Sequence, residues 1–106
     1  MGLAKEHLVT DLRVVATIAG KPEAADTVRG VLSALAVASR DDAGCIAYEL
    51  CESVDTPGTF VVIETWRTKD ELEAHLTTDH VRDAFAKTGD LILSPPSIVV
   101  LNPLEL

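Results

Sequence analysis

The chain is poor in cysteine, methionine and aromatic residues, and it lacks a long apolar run. Its 106 residues include two cysteines, one methionine and four aromatic residues. No uninterrupted apolar segment approaches the ~20 residues of a membrane-spanning helix, and the N-terminus lacks the apolar stretch of a signal peptide. A formal net charge of −8 repels nucleic acid and anionic lipid. We therefore expect no nucleic-acid or membrane partner and a cytoplasmic location.

The two cysteines are predicted to be reduced thiols. Cys45 and Cys51 fall on one predicted strand, so at ~3.3 Å per residue their α-carbons are ~20 Å apart, which is beyond the reach of a disulfide. Their spacing is also unlike the C-x-x-C of zinc and redox sites. A free cysteine in an apolar strand is usually inert packing, and we assign neither thiol a catalytic role.

The length suits one domain of ordinary size, and the hydrophobic pattern predicts the order βαββαβ. Residues 1–10 are interpreted as an N-terminal extension and residues 11–104 as the domain. A first helix is predicted from Pro22 to about Ser39, because apolar residues recur at helical spacing. The predicted strands, rich in β-branched and other apolar residues, are Leu12–Ala19, Cys45–Glu52, Thr59–Arg67 and Ser97–Leu101.

The region after the third strand is predicted to hold two helical segments. Thr68-x-x-Glu71 is a capping box that starts the first of them. The capping side chains of Thr77-Thr78-Asp79 predict a break and a second segment, which ends at Gly89. The residues of this second segment expected to face inward are Val81, Ala84 and Phe85.

Both faces of the predicted sheet are apolar. Two helices cover only one face of a four-stranded sheet, so the other face should alternate to polar residues if it meets water. Instead, runs such as Phe60–Ile63 and Ile98–Leu101 are apolar at odd and even positions alike, so both faces are apolar. Because closed symmetric dimers are the commonest oligomers, we predict a homodimer that packs sheet against sheet.

Three motifs in this order resemble the antibiotic biosynthesis monooxygenase domain family, which includes quinol monooxygenase-like proteins. They are Gly44-x-x-x-Tyr48-Glu49-Leu50, Glu64-x-Trp66, and a helix histidine, His75, nine residues after the tryptophan. The resemblance extends over residues 11–104. It implies an α+β, ferredoxin-like βαββαβ fold with an antiparallel four-stranded sheet, two copies of which form a dimeric α+β barrel.

The resemblance also implies an activity, namely oxygenation of a quinol or polyketide-type phenol by molecular oxygen without flavin, haem or metal. A deprotonated phenol can itself donate an electron to oxygen, so the protein needs a pocket and a proton acceptor. His75 is the expected base, Trp66 the expected wall of the pocket, and Glu64 the expected holder of a proton. Tyr48 is expected to hydrogen-bond a substrate oxygen. The other residues expected to line the substrate pocket are His80, Phe85 and Leu72.

Other interpretations of the same residues stay open. His75, Trp66 and Tyr48 also suit ordinary core packing, and Glu64 suits an ion pair with an arginine. With these roles the chain is a ligand-binding or dimerisation module. A further alternative is an isomerase or decarboxylase that acts on a small aromatic compound and uses His75 as its base. An open cavity that touches His75 and Trp66 favours an enzyme, whereas a packed interior favours the module.

Haem and metal chemistry are not expected. Haem-degrading relatives of this fold have an asparagine on the first strand, which is absent here, and a tryptophan at the helix position of His75. His80 follows His75 by five residues, an offset near 140° on a continuous helix, so the two rings are not expected to share a face. We therefore predict no metal site.

Overall fold

A computed structural model describes residues 11–106, which form an antiparallel four-stranded sheet with helices on one face. The strands are β1 (Leu12–Ala19), β2 (Cys45–Glu52), β3 (Thr59–Trp66) and β4 (Ser97–Leu101), in the sheet order β2-β3-β1-β4. The helices are a 3₁₀ turn (Pro22–Ala24), α1 (Ala25–Ser39), α2 (Lys69–Leu76) and α3 (Asp79–Thr88). The predicted α+β, ferredoxin-like fold is confirmed. The extension predicted at residues 1–10 lies outside the described residues.

The central strands bury alternate residues beneath the helices. On β1 the buried side chains are Val14, Ala16 and Ile18, and on β3 they are Phe60, Val62, Glu64 and Trp66. This alternation follows from the pleat of a strand, which sends successive side chains to opposite faces. The even-numbered residues of these two strands therefore form the floor on which the helices pack.

Helix α1 begins three residues later than the pattern predicts. Pro22 starts a 3₁₀ turn, and the α-helix itself runs from Ala25 to the predicted end at Ser39. Its apolar stripe is buried through Val28, Leu32 and Leu35. Even this helix, with 15 residues, is short, and none of the helices within residues 11–106 is long and apolar enough to cross a membrane.

The predicted break between α2 and α3 is confirmed. The Thr68 hydroxyl accepts a hydrogen bond from the backbone N–H of Glu71 at the start of α2 (3.1 Å), and Thr78 caps α3 in the same way. The hydroxyl of Thr77 donates to the carbonyl of Ala74, so the end of α2 is capped as well. The chain therefore changes direction between His75 and the following helix.

One expectation about α3 is met only in part. Val81 and Ala84 are buried as predicted, but Phe85 is 48% exposed. The position that completes the buried stripe is instead Thr88, at a spacing of i, i+3 and i+7 from Val81, and its hydroxyl donates to the carbonyl of Ala84. That internal hydrogen bond satisfies a polar side chain on the buried face of the helix.

Candidate functional site

Four buried side chains converge where β2 and β3 meet α2. Tyr48 on β2 lies directly opposite Glu64 on β3, and Trp66 is two residues further along the same face of β3. His75 of α2 packs above them, with its ring centroid 4.6 Å from that of Trp66 and 6.0 Å from that of Tyr48. Four of the residues predicted from the sequence to form the site therefore lie together at this junction of sheet and helix.

Glu64 is a buried carboxyl whose polar contact comes from the neighbouring tryptophan. The indole Nε1–H of Trp66 donates to Oε1 of Glu64 at 2.7 Å, and Glu64 is only 5% exposed. Burial raises the pKa of Glu64, and the hydrogen bond from Trp66 opposes that shift only in part. This arrangement favours the protonated carboxyl more than a surface position does.

Asp42 is the centre of a second polar cluster. It lies in the loop between α1 and β2, and its Oδ2 atom is 2.7 Å from Nδ1 of His75 and 2.8 Å from Nε2 of His80. Burial tends to raise the pKa of Asp42, but the hydrogen bonds to His75 and His80 outweigh burial and lower it. Burial lowers the pKa of His75, against the effect of Asp42. These shifts favour an ionised Asp42 beside a neutral His75 that donates its Nδ1–H.

The expectation that His75 and His80 stay apart is wrong. Their ring centroids are 6.0 Å apart, because the break at Thr77-Thr78 turns α3 back toward the Asp42 loop. The 140° offset applies only to a continuous helix. Asp42 is not among the site residues predicted from the sequence, because no spacing distinguishes it from the adjacent Asp41.

The Asp42 loop is held in place by its backbone and by a glycine. Gly44 has φ +82°, and its carbonyl accepts a hydrogen bond from the N–H of Arg67 at 2.8 Å. A Cβ atom at this position would collide with the side chain of Glu71 in the first turn of α2. Only glycine combines this φ with so close an approach, which keeps Asp42 near the helix that carries His75.

A cavity of about 50 Å³ lies between the helices and the sheet. Its walls are mostly apolar, and its polar groups include Tyr48, Glu64 and His75. Burial and the nearby Glu64 raise the pKa of Tyr48, so its hydroxyl stays protonated and can donate. Phe85, Leu76 and Ile98 line the cavity and are 48%, 40% and 43% exposed, so they form its mouth. A cavity of this size holds a few water molecules but not an aromatic ring.

Three predicted site residues do not line this cavity. Trp66 is fully buried behind His75 and Glu64, so it supports these two side chains and does not form the cavity wall. Leu72 is buried and borders an open groove with Arg67 and Leu101. His80 borders a shallow groove that it shares with α1.

Neither cysteine takes part in these polar clusters. Cys45 and Cys51 are both free thiols. Burial raises the pKa of Cys45, and the negative charges of Glu64 and Asp42 act in the same direction. The Cys45 thiol is therefore a poor nucleophile, in keeping with the packing role predicted for it.

Comparison with known proteins gives a consistent family. The sequence model described as "Antibiotic biosynthesis monooxygenase" matches residues 11–87. The chain is 31% identical over 98 residues to "Putative monooxygenase Rv0793" of Mycobacterium tuberculosis, which covers 92% of this chain and 96% of that protein. It is also 31% identical over 79 residues to "Putative monooxygenase YcnE" of Bacillus subtilis, covering 74% of this chain and 83% of that protein.

Solved structures agree with the sequence matches. The structure of Rv0793 superimposes with a TM-score of 0.84 and covers 92% of this chain and 98% of its own. The structure of PA3566 from Pseudomonas aeruginosa superimposes with a TM-score of 0.85 at 32% identity, covering 91% and 96% of the two chains. With the family match over residues 11–87, these relatives show that the chain belongs to the antibiotic biosynthesis monooxygenase family.

Proposed function

We propose that this protein is a monooxygenase that oxidises a quinol or polyketide-type phenol with molecular oxygen, and that the substrate supplies the electrons. One oxygen atom enters the product, the other leaves as water, and the oxidised substrate provides all the electrons for the reduction of oxygen. Family membership supports the monooxygenase chemistry in general. The single observation that carries the proposal is the hydrogen bond between Asp42 and His75 at the edge of the cavity.

In this mechanism His75 is the base that deprotonates the phenol. Asp42 accepts the Nδ1–H of His75, which leaves the lone pair on Nε2. No hydrogen bond within residues 11–106 occupies Nε2, and the His75 ring lines the cavity. When Nε2 takes a proton, the charge of Asp42 stabilises the imidazolium that forms.

Tyr48 and Glu64 complete the polar lining on the sheet side. The protonated Tyr48 hydroxyl is a donor for the phenolate oxygen, and the Glu64 carboxyl is a proton source for the reduced oxygen species. Trp66 touches neither reactant in this scheme. It holds the Glu64 carboxyl through Nε1–H and supports the ring of His75, so it is a positioning residue.

Substrate entry requires the cavity to widen. A volume of about 50 Å³ is far below the ~300 Å³ of a small ligand pocket. The three partly exposed apolar side chains at its mouth, Phe85, Leu76 and Ile98, are free to move aside, because they contact solvent as well as the cavity. Phe85 then contacts the substrate ring, which keeps its expected role in binding.

The competing proposal is a binding module, and the small cavity favours it. A module needs no substrate-sized space beside His75, and the full burial of Trp66 suits a packed interior. The two proposals differ in oxygen consumption, because a module that binds a phenol leaves its autoxidation rate unchanged or lowers it. The homodimer and the cytoplasmic location stay predictions under either proposal.

The test is oxygen uptake with a panel of hydroquinones and anthrone-like phenols, after subtraction of spontaneous autoxidation. We expect uptake by the wild-type protein and a fall of about 10²–10⁴-fold in kcat for His75→Gln, because general-base catalysis contributes that factor. Val37→Ala, on the exposed surface of α1, is the control and should keep wild-type activity. Uptake that is equal in wild type and His75→Gln would contradict the proposed base.

A further inference from the structure

Three potential metal ligands lie together beside the cavity, on three different segments of the chain. They are a carboxylate oxygen of Asp42 in the loop before β2, Nδ1 of His75 in α2 and Nε2 of His80 in α3. Their ligand atoms all lie within 4.8 Å of one another, and Oδ2 of Asp42 is 2.7 and 2.8 Å from the two nitrogens. Two imidazoles and one carboxylate are a common ligand set for transition-metal ions.

We propose that Asp42, His75 and His80 form a binding site for a single divalent transition-metal ion, with Zn²⁺ as the best fit. Zinc bonds imidazole nitrogen and carboxylate oxygen at about 2.0–2.2 Å, so neighbouring ligand atoms of a tetrahedral site lie roughly 3.4 Å apart. The present separations of 2.7 and 2.8 Å need to widen by less than 1 Å. With three protein ligands, one coordination position stays open for water.

The metal would replace the two hydrogen bonds that now hold the cluster. In a neutral imidazole the proton on the bonded nitrogen can leave while the other ring nitrogen takes one up, so no net change of charge is required on the histidine. The carboxylate of Asp42 is the one negatively charged ligand of the three. Metal and proton therefore compete for the same nitrogen atoms of His75 and His80.

The cluster is accessible from outside the substrate cavity. The side chains of His80 and Asp42 are 29% and 16% exposed, whereas that of His75 is 3% exposed. An ion can thus approach from the His80 side without passing the mouth at Phe85. The two nitrogen ligands select against Mg²⁺ and Ca²⁺, which prefer oxygen, and the net charge of −8 favours cations in general.

Occupancy of this site would inhibit the activity proposed above, a consequence that rests on the proposed function. With the ion on Nδ1 of His75, the proton lies on Nε2, and the base loses the lone pair that it needs. Metal binding itself depends only on the three ligands. Failure of the proposed oxygenase chemistry would therefore leave the site intact, and the two proposals fail separately.

The test is isothermal titration of the chelator-treated full chain, without an affinity tag, with Zn²⁺. We expect one ion per chain and an affinity at least about tenfold weaker in His80→Gln and Asp42→Asn, since loss of an outer-shell partner alone typically costs 10–100-fold. The third histidine, His7, and the two free cysteines are zinc-binding side chains outside the proposed ligand set. His7→Gln is the matched control that should bind like wild type. Circular dichroism confirms that each variant is folded.

Two results would overturn the metal site. One is the absence of stoichiometric binding by the folded wild-type chain, and the other is an affinity that His80→Gln leaves unchanged. Titration with Co²⁺ gives a second readout, because tetrahedral Co²⁺ with nitrogen ligands produces visible absorption bands that surface binding does not. We expect these bands in wild type and His7→Gln and their loss in His80→Gln.

Discussion

The two faces of the sheet carry different kinds of side chain. The helix-covered face buries Glu64 and Trp66 beside Tyr48, and it lies under the cavity. The open face presents a line of apolar residues in register across three strands, with Val15 of β1 between Ile63 of β3 and Val99 of β4. Ile63 and Val99 are 43% and 46% exposed.

This difference arises within single strands. Ile63 and Glu64 are adjacent in the chain, yet the pleat places one on the open face and the other in the site. The titratable side chains of the site thus lie under the helices, and the apolar open face is available to pack against another surface. Substitutions on the covered face should change activity without changing assembly, and those on the open face should do the reverse.

The largest effect is expected for Asp42→Asn, in the loop whose side chain contacts His75 above the helix-covered face. The amide keeps a similar shape but loses the charge that stabilises the imidazolium of His75, and it offers an N–H that favours the wrong tautomer. We expect kcat to fall by about 10²–10⁴-fold with little change in KM. Steady-state oxygen uptake checks this, and combination with His75→Gln should cause little further loss if Asp42 acts through His75.

The next effect, on the open face, is a change of oligomeric state in Ile63→Lys. A lysine in the middle of the apolar line must be desolvated if two sheets pack together, so we expect the predicted homodimer to dissociate. Val37→Lys is the matched control, because Val37 is a 65% exposed apolar residue on α1. Light scattering after size exclusion measures the mass, and a monomeric wild-type chain would remove the basis of this prediction.

The fold was predictable because local signals and the global arrangement agree. The bounds of β1 and β4 match the β-branched runs, and the threonine caps mark the break between α2 and α3. Phe85 was predicted to be buried because it is an apolar residue next to Ala84, but it is half-exposed. Thr88 takes the buried position instead, because its hydroxyl donates a hydrogen bond to the carbonyl of Ala84. A polar residue that bonds its own helix is hard to recognise from hydrophobic periodicity alone.

The site was predictable only where its residues lie on regular elements. Strand parity places Glu64 and Trp66 on one face, and the order of motifs brings His75 to the same end of the sheet. Asp42 was missed because its contact with His75 spans 33 positions of sequence and depends on the loop at Gly44. His80 was separated from His75 because its position depends on the angle between two short helices, which the capping signals do not specify.

A smaller effect on the covered face is expected for Trp66→Phe. The substitution removes the Nε1–H donor of the buried Glu64 and leaves a carboxyl oxygen without its partner. We expect the free energy of unfolding to fall by about 1–3 kcal/mol, as measured by urea denaturation. A double-mutant cycle with Glu64→Leu, which removes the acceptor, isolates the hydrogen bond, and strictly additive losses would show that packing of the indole ring accounts for the cost.

The smallest effect is a pH-dependent change of stability in Glu64→Gln. Because the folded state raises the pKa of Glu64 above its ordinary 4.5, the folded state binds this proton more tightly than the unfolded state does. The resulting stabilisation is present in full below pH 4.5 and is lost as the pH rises through the folded-state pKa. Glutamine stays neutral, so the Tm of Glu64→Gln minus that of wild type should increase from pH 4 to pH 8. Glu23→Gln, at an exposed position of the 3₁₀ turn, is the matched surface control. A difference that decreases with pH would show that Glu64 is charged in the folded state.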